Sequence, residues 1–191
     1  MSFVYSQTQF LYPVIGFVAY SGTGKTTLIE KIIQELSNRS LVISAIKHTH
    51  HRFDVDRPGK DSYRHREAGA KEIMLVSDQR WVLMHELKND QEPSIHEQLA
   101  KLTPCDLVIV EGFKHVAIPK IELWRADHEE SANNPCRANT DLNIQAIAYP
   151  GGVNASQKPV LERDIKILDL DDHAEIGQYI LDFTGLSAKF S

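Results

Sequence analysis

The sequence has few cysteines, no excess of positive charge and no long apolar run. Its two cysteines, Cys105 and Cys136, lie far apart and form neither a CxxC motif nor a disulfide-dense pattern. The net charge of −5 argues against an extended nucleic-acid surface, because binding a phosphate backbone requires a basic face. We therefore expect no nucleic-acid partner, and a partner that is a small molecule or another protein.

Signals for export and membrane insertion are also missing. No apolar stretch approaches the roughly 20 residues of a transmembrane helix, and residues 1–13 contain neither a basic start nor a small-residue cleavage site. We expect a cytoplasmic protein without membrane contact. The 191 residues, of which 42% are hydrophobic and 25% charged, are typical of one globular domain spanning residues 1–191, with a lead-in over residues 1–11 that can be flexible.

A glycine-rich turn between an apolar strand and a helix is the most informative stretch. Val14 to Val18 are apolar, as in a strand buried on both faces, and apolar residues recur at helical spacing from Thr26 onward. Gly22 and Gly24 lack a Cβ, so the turn can adopt positive φ and direct several N–H groups at one anion. The stretch therefore predicts a phosphate-binding turn at a helix N-terminus.

The spacing matches the P-loop motif except at its first position, where Ala19 replaces glycine. We expect Lys25 to neutralise the β- and γ-phosphates, Thr26 to bind Mg²⁺ and Thr27 to contact the α-phosphate. The predicted phosphate-binding residues are Ser21, Gly22, Thr23, Gly24, Lys25, Thr26 and Thr27.

Polar residues follow a second predicted strand, which starts at Leu41. Ligands of doubly wound sheets lie beyond the carboxyl ends of the strands, so this polar segment should face the same crevice as the P-loop. We expect Lys47, His48 and His50 to contact the ligand or a partner. A metal site is the weaker alternative, because no cysteine joins the histidines and His50 and His51 would point to opposite sides of an extended chain.

Three acidic residues are candidates for the shell of a Mg²⁺ ion. Asp54 and Asp56 alternate and can point to one side, although a solvated loop is the alternative. Glu111 ends a buried strand just before Gly112, and in P-loop proteins such an acid holds the ion's shell. The predicted metal-binding residues are Thr26, Asp54, Asp56 and Glu111, and Lys25 and Glu111 are the predicted catalytic residues.

The remaining pattern predicts an α/β fold with a mostly parallel P-loop NTPase sheet flanked by helices. A short link between two strand-like runs, residues 72–76 and 80–84, favours an antiparallel hairpin, in which Trp81 is expected in the core. Residues 126–143 are polar and aperiodic, which is typical of a mobile loop.

Several motifs together resemble a known family, the molybdopterin-guanine dinucleotide biosynthesis protein B (MobB) family. The resemblance covers residues 14–125 in order, and its most specific parts are not in the P-loop. They are the runs Lys47-His48-Thr49-His50-His51, Asp54-Val55-Asp56-Arg57-Pro58-Gly59-Lys60-Asp61-Ser62 and Val110-Glu111-Gly112-Phe113-Lys114-His115.

The resemblance implies a GTP-binding, weakly GTP-hydrolysing homodimer in the dimeric P-loop GTPase group. It also implies a role in attaching GMP to molybdopterin together with a MobA-type nucleotidyltransferase, with molybdopterin or an apo-molybdoenzyme as further partners. The Asn-Lys-x-Asp segment that usually reads guanine is absent from the sequence, so the preference for GTP over ATP depends on the resemblance alone.

Two other functions fit the same residues. A small-molecule kinase would place an acceptor and a base near His48 or Asp56. A non-catalytic adapter would bind nucleotide and dock the transferase or an apo-enzyme through the histidine segment with Lys114 and His115. The sequence identifies neither a water-positioning group nor an arginine finger, so any hydrolysis should be slow.

Overall fold

The computed structural model describes residues 10–49, 53–154 and 157–190. Contacts within the chain group it into two compact units, one formed by residues 1–48 and 95–191 and the other by residues 49–94. Residues 1–9 of the predicted lead-in over residues 1–11 and the predicted ligand His50 lie outside the described residues. The assignment of residues 1–191 to a single domain stays a prediction, and the two units are treated separately below.

The first unit is a parallel sheet covered by helices, as the sequence pattern predicted. Its strands are β1 (Val14–Val18), β2 (Ile43–Lys47), β5 (Leu107–Glu111), β6 (Lys120–Leu123), β7 (Ile144–Tyr149) and β8 (Lys166–Asp169). The strands β3 (Glu72–Val76) and β4 (Trp81–His85) belong to the second unit. They are arranged in the order β2-β5-β1-β6-β7-β8, with every pair parallel. Its helices are α1 (Lys25–Asn38), α3 (Ile95–Leu99), α4 (Glu129–Asn133) and α5 (His173–Thr184).

The register of the central strands brings their carboxyl ends together. In the pairing of β5 with its neighbours, Glu111 lies opposite Phe17 of β1 and opposite Lys47 of β2. All five residues of β1 are buried, as expected for a strand with layers on both sides. The turn that follows β1 therefore begins beside the last residue of β5.

Helices α1 and α5 cover one face of this sheet. Both are amphipathic, and the buried residues of α1 are Leu28, Ile29, Ile32 and Leu36. Helix α5 is capped at its N-terminus by Asp172, whose side chain accepts a hydrogen bond from the N–H of Glu175, and at its C-terminus by Gly185 with a φ of 75°. Because these apolar faces pack against β1 and its neighbours, the start of α1 is held at the carboxyl ends of the central strands.

The segment after β6 is anchored to the sheet by buried charged residues. Residues 126–143 contain α4 and a 3₁₀ helix, Arg137–Asn139, which the aperiodic sequence did not predict. The buried carboxylate of Glu122 accepts hydrogen bonds from the N–H groups of Arg137 and Ala138, at 2.9 and 2.7 Å. Burial raises the pKa of Glu122, and these two bonds oppose the rise.

The second unit consists of a helix and a hairpin. Helix α2 spans Asp61–Glu67, and the antiparallel strands are β3 (Glu72–Val76) and β4 (Trp81–His85). The pairs Met74 with Leu83 and Val76 with Trp81 lie on one face. All four of these side chains are exposed, and we call them the hairpin patch. The expectation that Trp81 lies in the core is wrong, because 61% of it is exposed.

No helix among the described residues is both long and apolar enough to cross a bilayer.

Candidate functional site

The glycine turn after β1 has the backbone conformation of an anion cradle. Gly22 and Gly24 have φ values of 83° and 93°, and Gly24 is the cap of α1. A Cβ built on Gly24 meets no other atom within 4 Å, so the space in front of this cap is open. The N–H groups at the start of α1 therefore face a position that an anion can occupy.

Hydrogen bonds from neighbouring side chains stabilise the conformation of the turn. Thr23 is buried, and its Oγ1 donates a hydrogen bond to the carbonyl of Tyr20 at 2.8 Å. The Nε of Arg125 donates to the carbonyl of Thr23 at 3.1 Å. Ala19 is buried and does not have positive φ, so alanine is tolerated at the first position of the motif. The three hydroxyl residues Ser21, Thr26 and Thr27 are exposed on the open side.

Lys25 is the cation of this turn. Burial lowers the pKa of its ammonium group, Glu111 opposes this, and the nearby positive charges of Lys114, Lys47 and Arg137 lower the pKa further. Its Nζ forms no hydrogen bond or ion pair within the described part of the chain. Burial and the neighbouring positive charges both disfavour the charged form of Lys25. A bound polyanion would offset both effects, so Lys25 is suited to bind one.

Glu111 connects the end of β5 to the first turn of α1. Its Oε1 accepts a hydrogen bond from Thr26 Oγ1 at 3.0 Å, and its Oε2 lies 3.4 Å from Lys47 Nζ. Two oxygens bound at neighbouring octahedral positions of one Mg²⁺, each at about 2.1 Å, are roughly 3.0 Å apart. The hydroxyl and the carboxylate therefore fit a magnesium ion both in chemistry and in separation.

His48 continues the rim beside Glu111. Its N–H donates to the carbonyl of Glu111 at 2.9 Å, and its ring lies 4.6 Å from that of Phe113. Gly112 has a φ of 94°, and a Cβ there would lie 3.2 Å from the carbonyl oxygen of His48. Glycine thus permits the two strand ends to approach each other.

Asp54 and Asp56 form contacts within the second unit. Both oxygens of Asp54 accept hydrogen bonds from the guanidinium of Arg66, at 2.9 and 2.8 Å, which holds the pKa of Asp54 below its usual range. Asp56 Oδ1 accepts from Ser62 Oγ at 2.8 Å. Their predicted role at a metal would require an exchange of these partners. Within the described ranges, no group of three or more His, Cys, Asp or Glu side chains is arranged to hold a metal ion.

Comparisons with known proteins identify the family of this chain. Residues 14–149 match the family model of molybdopterin guanine dinucleotide synthesis protein B, MobB. The chain is 38% identical over 175 residues to the molybdopterin-guanine dinucleotide biosynthesis adapter protein of Escherichia coli, covering 91% of this chain and 94% of that protein. The chain belongs to the MobB family.

Other members support the same assignment. The adapter protein of Haemophilus influenzae is 39% identical over 170 residues, covering 88% of this chain and 87% of that protein. The crystal structure of Bacillus subtilis MobB superposes with a TM-score of 0.68 at 23% identity, covering 90% of this chain and 98% of that one. This structural likeness, at low identity, concerns the fold of MobB alone.

The surroundings of the glycine turn include residues that no motif in the sequence identified. A Cβ on Gly22 would lie 3.0 Å from His128 Nε2, so His128 closes one side of the turn. The guanidinium of Arg137 lies over the ring of Tyr20, 4.6 Å from its centre. His128 and Arg137 come from residues 126–143, which the sequence predicted to be a loop, and Arg125 directly precedes that stretch. Their position depends on tertiary contacts, and the sequence carries no local signal for them.

Proposed function

We propose that this chain binds GTP with Mg²⁺ at the turn Ser21 to Thr27 and assists the attachment of GMP to molybdopterin in the cytoplasm. The observation that carries the proposal is the open, amide-lined start of α1 with Lys25 beside it and Glu111 bonded to Thr26. The relatives at 38% and 39% identity are described as molybdopterin-guanine dinucleotide biosynthesis adapter proteins, which supports this pathway. The partners would be a MobA-type nucleotidyltransferase and molybdopterin or an apo-molybdoenzyme.

In this proposal the β- and γ-phosphates lie against the N–H groups of Gly22 to Thr26. Lys25 supplies the neutralising charge, and Thr27 is exposed at the next position for the α-phosphate. Lys47 and His48, at the neighbouring strand end, complete the rim, and His50 is proposed with them from the sequence. The open space at Gly24 supports close approach of a phosphate to the backbone.

Thr26 and Glu111 would hold the magnesium ion, which neutralises phosphate charge when bound. Asp54 or Asp56 would add to its water shell, as the sequence spacing suggests. Hydrolysis should be slow, with Lys25 and Glu111 as the catalytic residues, because no group is identified that positions a water. A binding protein whose nucleotide state controls docking is compatible with slow hydrolysis, and this favours the adapter role over the kinase alternative.

A titration tests the proposal. Calorimetry with GTP, ATP, GDP and ADP should show tightest binding of GTP, and Mg²⁺ should strengthen binding of the triphosphates. The variant Glu111→Gln should lose most of the Mg²⁺ effect, about tenfold to a hundredfold in affinity, because a charge-assisted contact contributes roughly 1.5 to 3 kcal/mol. Its Mg²⁺-free affinity should be unchanged or higher.

The matched control is Glu30→Gln, which removes the same charge from the exposed side of α1. Failure of the wild-type chain to bind any nucleotide would refute the proposal. Transfer of labelled phosphate to a small acceptor, instead of its release into solution, would favour the kinase.

The hairpin patch supports the proposed homodimer. Met74, Val76 and Trp81 are 57%, 72% and 61% exposed, and Leu83 lies beside them on the same face. Contiguous apolar surface on a sheet is typical of a protein interface. Because the strands of a two-stranded sheet have free edges, a second copy can also add hydrogen bonds there.

The dimer prediction is tested by placing a charged side chain on that apolar face. Trp81→Glu should shift the chain from dimer to monomer in sedimentation, with at least a tenfold weaker association, since a buried tryptophan often dominates an interface. Leu142→Glu, at an exposed apolar residue of the first unit, is the control. A Trp81→Glu protein that still sediments as the wild type would exclude the patch as the interface.

A further inference from the structure

Two nitrogen-bearing side chains of the segment after β6 lie against the beginning of the glycine turn. A Cβ on Gly22 would lie 3.0 Å from Nε2 of His128, and the guanidinium carbon of Arg137 lies 4.6 Å from the centre of the Tyr20 ring. Tyr20 directly precedes the turn. Both side chains therefore lie at the end of the turn that is opposite Thr27.

Hydrogen bonds fix the backbone from which these two side chains extend. The N–H of His128 donates to the carbonyl of Arg125 at 3.4 Å, and Nε of Arg125 donates to the carbonyl of Thr23 at 3.1 Å. The N–H of Arg137 donates to Oε1 of buried Glu122 at 2.9 Å. The segment is thus tied both to the turn and to β6.

The guanidinium of Arg137 is half-buried and has unused hydrogen-bond donors. Among the described residues it forms no hydrogen bond or ion pair, and its Nε is buried without a partner. The ring of Tyr20 attracts its charge but accepts no conventional hydrogen bond. An N–H group without an acceptor is costly away from water, so a ligand that supplies acceptors to this guanidinium would be favoured.

The charge of Arg137 reaches the lysine of the turn. Burial is the largest cause that lowers the pKa of Lys25, and the charges of Lys114, Lys47 and Arg137 lower it further. Glu111 opposes them. A polyanion bound at Lys25 would therefore be attracted by Arg137 as well.

The surroundings of His128 determine which of its ring nitrogens carries the hydrogen. Its Nδ1 is buried and has no hydrogen-bond partner among the described residues. A buried lone pair without a partner is tolerated more readily than a buried N–H without one. Nδ1 is therefore the unprotonated nitrogen, and Nε2, beside Gly22, presents an N–H donor to the turn.

We propose that the guanidinium of Arg137 and the Nε2–H of His128 bind the terminal phosphate of a triphosphate held in the cradle. The α-phosphate lies at Thr27, so the third phosphate lies toward Tyr20 and Gly22, and this direction rests on the proposed function. A diphosphate is one phosphate shorter and leaves these donors without an acceptor. The segment after β6 thus distinguishes a triphosphate from a diphosphate.

Calorimetry at one fixed Mg²⁺ concentration tests this role with two pairs of ligands, GTP with GDP and inorganic tripolyphosphate with pyrophosphate. The inorganic pair measures the phosphate contacts without a nucleoside. The variants are Arg137→Gln, Arg137→Lys and His128→Ala. The matched control is Arg39→Gln, because Arg39 caps the other end of α1, about 20 Å along the helix. Thermal melts establish which variants are folded.

The measured quantity is the preference for the triphosphate over the diphosphate. Arg137→Gln should reduce this preference about tenfold or more, because it removes a charged donor. Arg137→Lys should reduce it about threefold, since the charge remains but the planar pair of donors is lost. His128→Ala, which removes a neutral donor, should reduce it about threefold. Arg39→Gln should leave it unchanged. A general distortion of the turn would weaken both ligands of a pair equally.

A wild type that binds the triphosphate no better than the diphosphate would overturn the inference, as would a folded Arg137→Gln variant with the wild-type preference. If Arg137→Gln does not fold, an unchanged preference in Arg137→Lys would overturn it. A wild type that binds tripolyphosphate but no nucleotide would refute the proposed function, and the inorganic pair would then decide the role of Arg137 by itself. Failure to bind any of the four ligands would refute both.

Discussion

Replacing Lys25 by alanine is expected to abolish nucleotide binding at micromolar concentrations. Lys25 lies at the start of α1 and has no hydrogen bond or ion pair within the described residues, so its charge is available to the proposed phosphates. Losing charge-assisted contacts to two phosphate groups should cost about 3 to 6 kcal/mol, which is roughly a hundredfold or more in affinity. Calorimetric titration with GTP measures the loss.

The control for this variant is Lys31→Ala, which removes the same charge from the exposed side of the same helix. Its GTP affinity should stay within about twofold of the wild type, because an exposed charge away from the ligand contributes little. Wild-type affinity in the Lys25→Ala variant would refute the assignment of the cradle.

Asp141→Ala is expected to destabilise the chain by about 3 to 5 kcal/mol, because it leaves a buried ammonium group without its counter-ion. Lys120 is fully buried, and its Nζ donates to Asp141 Oδ2 at 2.7 Å and to the carbonyl of Lys114 at 3.2 Å. Asp141 also accepts two hydrogen bonds from Asn143, from its backbone N–H and its amide. Urea denaturation followed by circular dichroism measures the change.

The double variant Lys120→Met with Asp141→Leu separates charge from packing. Replacing both partners by apolar side chains should restore most of the lost stability, because no uncompensated charge remains buried. If the single and the double variant are equally unstable, the ion pair is not the cause of the loss.

The pH dependence of the wild type gives an independent check on the same pair. Burial raises the pKa of Asp141, but hydrogen bonds from Lys120 and Asn143 outweigh it and hold this pKa below its ordinary value. The ion pair therefore stabilises the fold fully at pH values above the pKa of Asp141 in the unfolded chain, about 3.9. This stabilisation is lost as the pH falls through the lower pKa of Asp141 in the folded chain. The difference in stability between wild type and Asp141→Ala should shrink in that acid range.

Most of the sheet and its helices could be predicted from the sequence, because their signals are local. The run from Val14 to Val18 forms β1 with the predicted bounds, and the hairpin is present with the expected antiparallel pairing. The strand β8 was missed, because Lys166–Asp169 is only four residues long. Its membership in the sheet depends on pairing with β7.

The error at Trp81 has a related origin. Alternation of apolar residues predicts a strand, but a two-stranded sheet has more apolar side chains than its own small core can cover. Ile73 and Met84 are buried and the opposite face is exposed. Sequence periodicity does not say which face of a hairpin meets a covering layer.

The candidate site could also be predicted only in part from the sequence. The P-loop residues are contiguous, so their spacing predicted the cradle, and Glu111 was identified because it ends a buried strand. Arg125 and His128 contact the turn, and Arg137 contacts Tyr20 beside it, from the segment after β6, which buried Glu122 and Lys120 tie to the sheet. Contacts between distant segments of this kind have no signature in a single sequence.

The two partners of Glu111 affect the order in which ligands arrive. Its carboxylate is already shared between a hydroxyl and an ammonium group, Thr26 and Lys47. A divalent ion alone would have to compete with that ammonium charge, whereas a triphosphate would draw it away and add oxygens of its own. We therefore expect positive cooperativity between nucleotide and ion, with each raising the affinity of the other by the same factor.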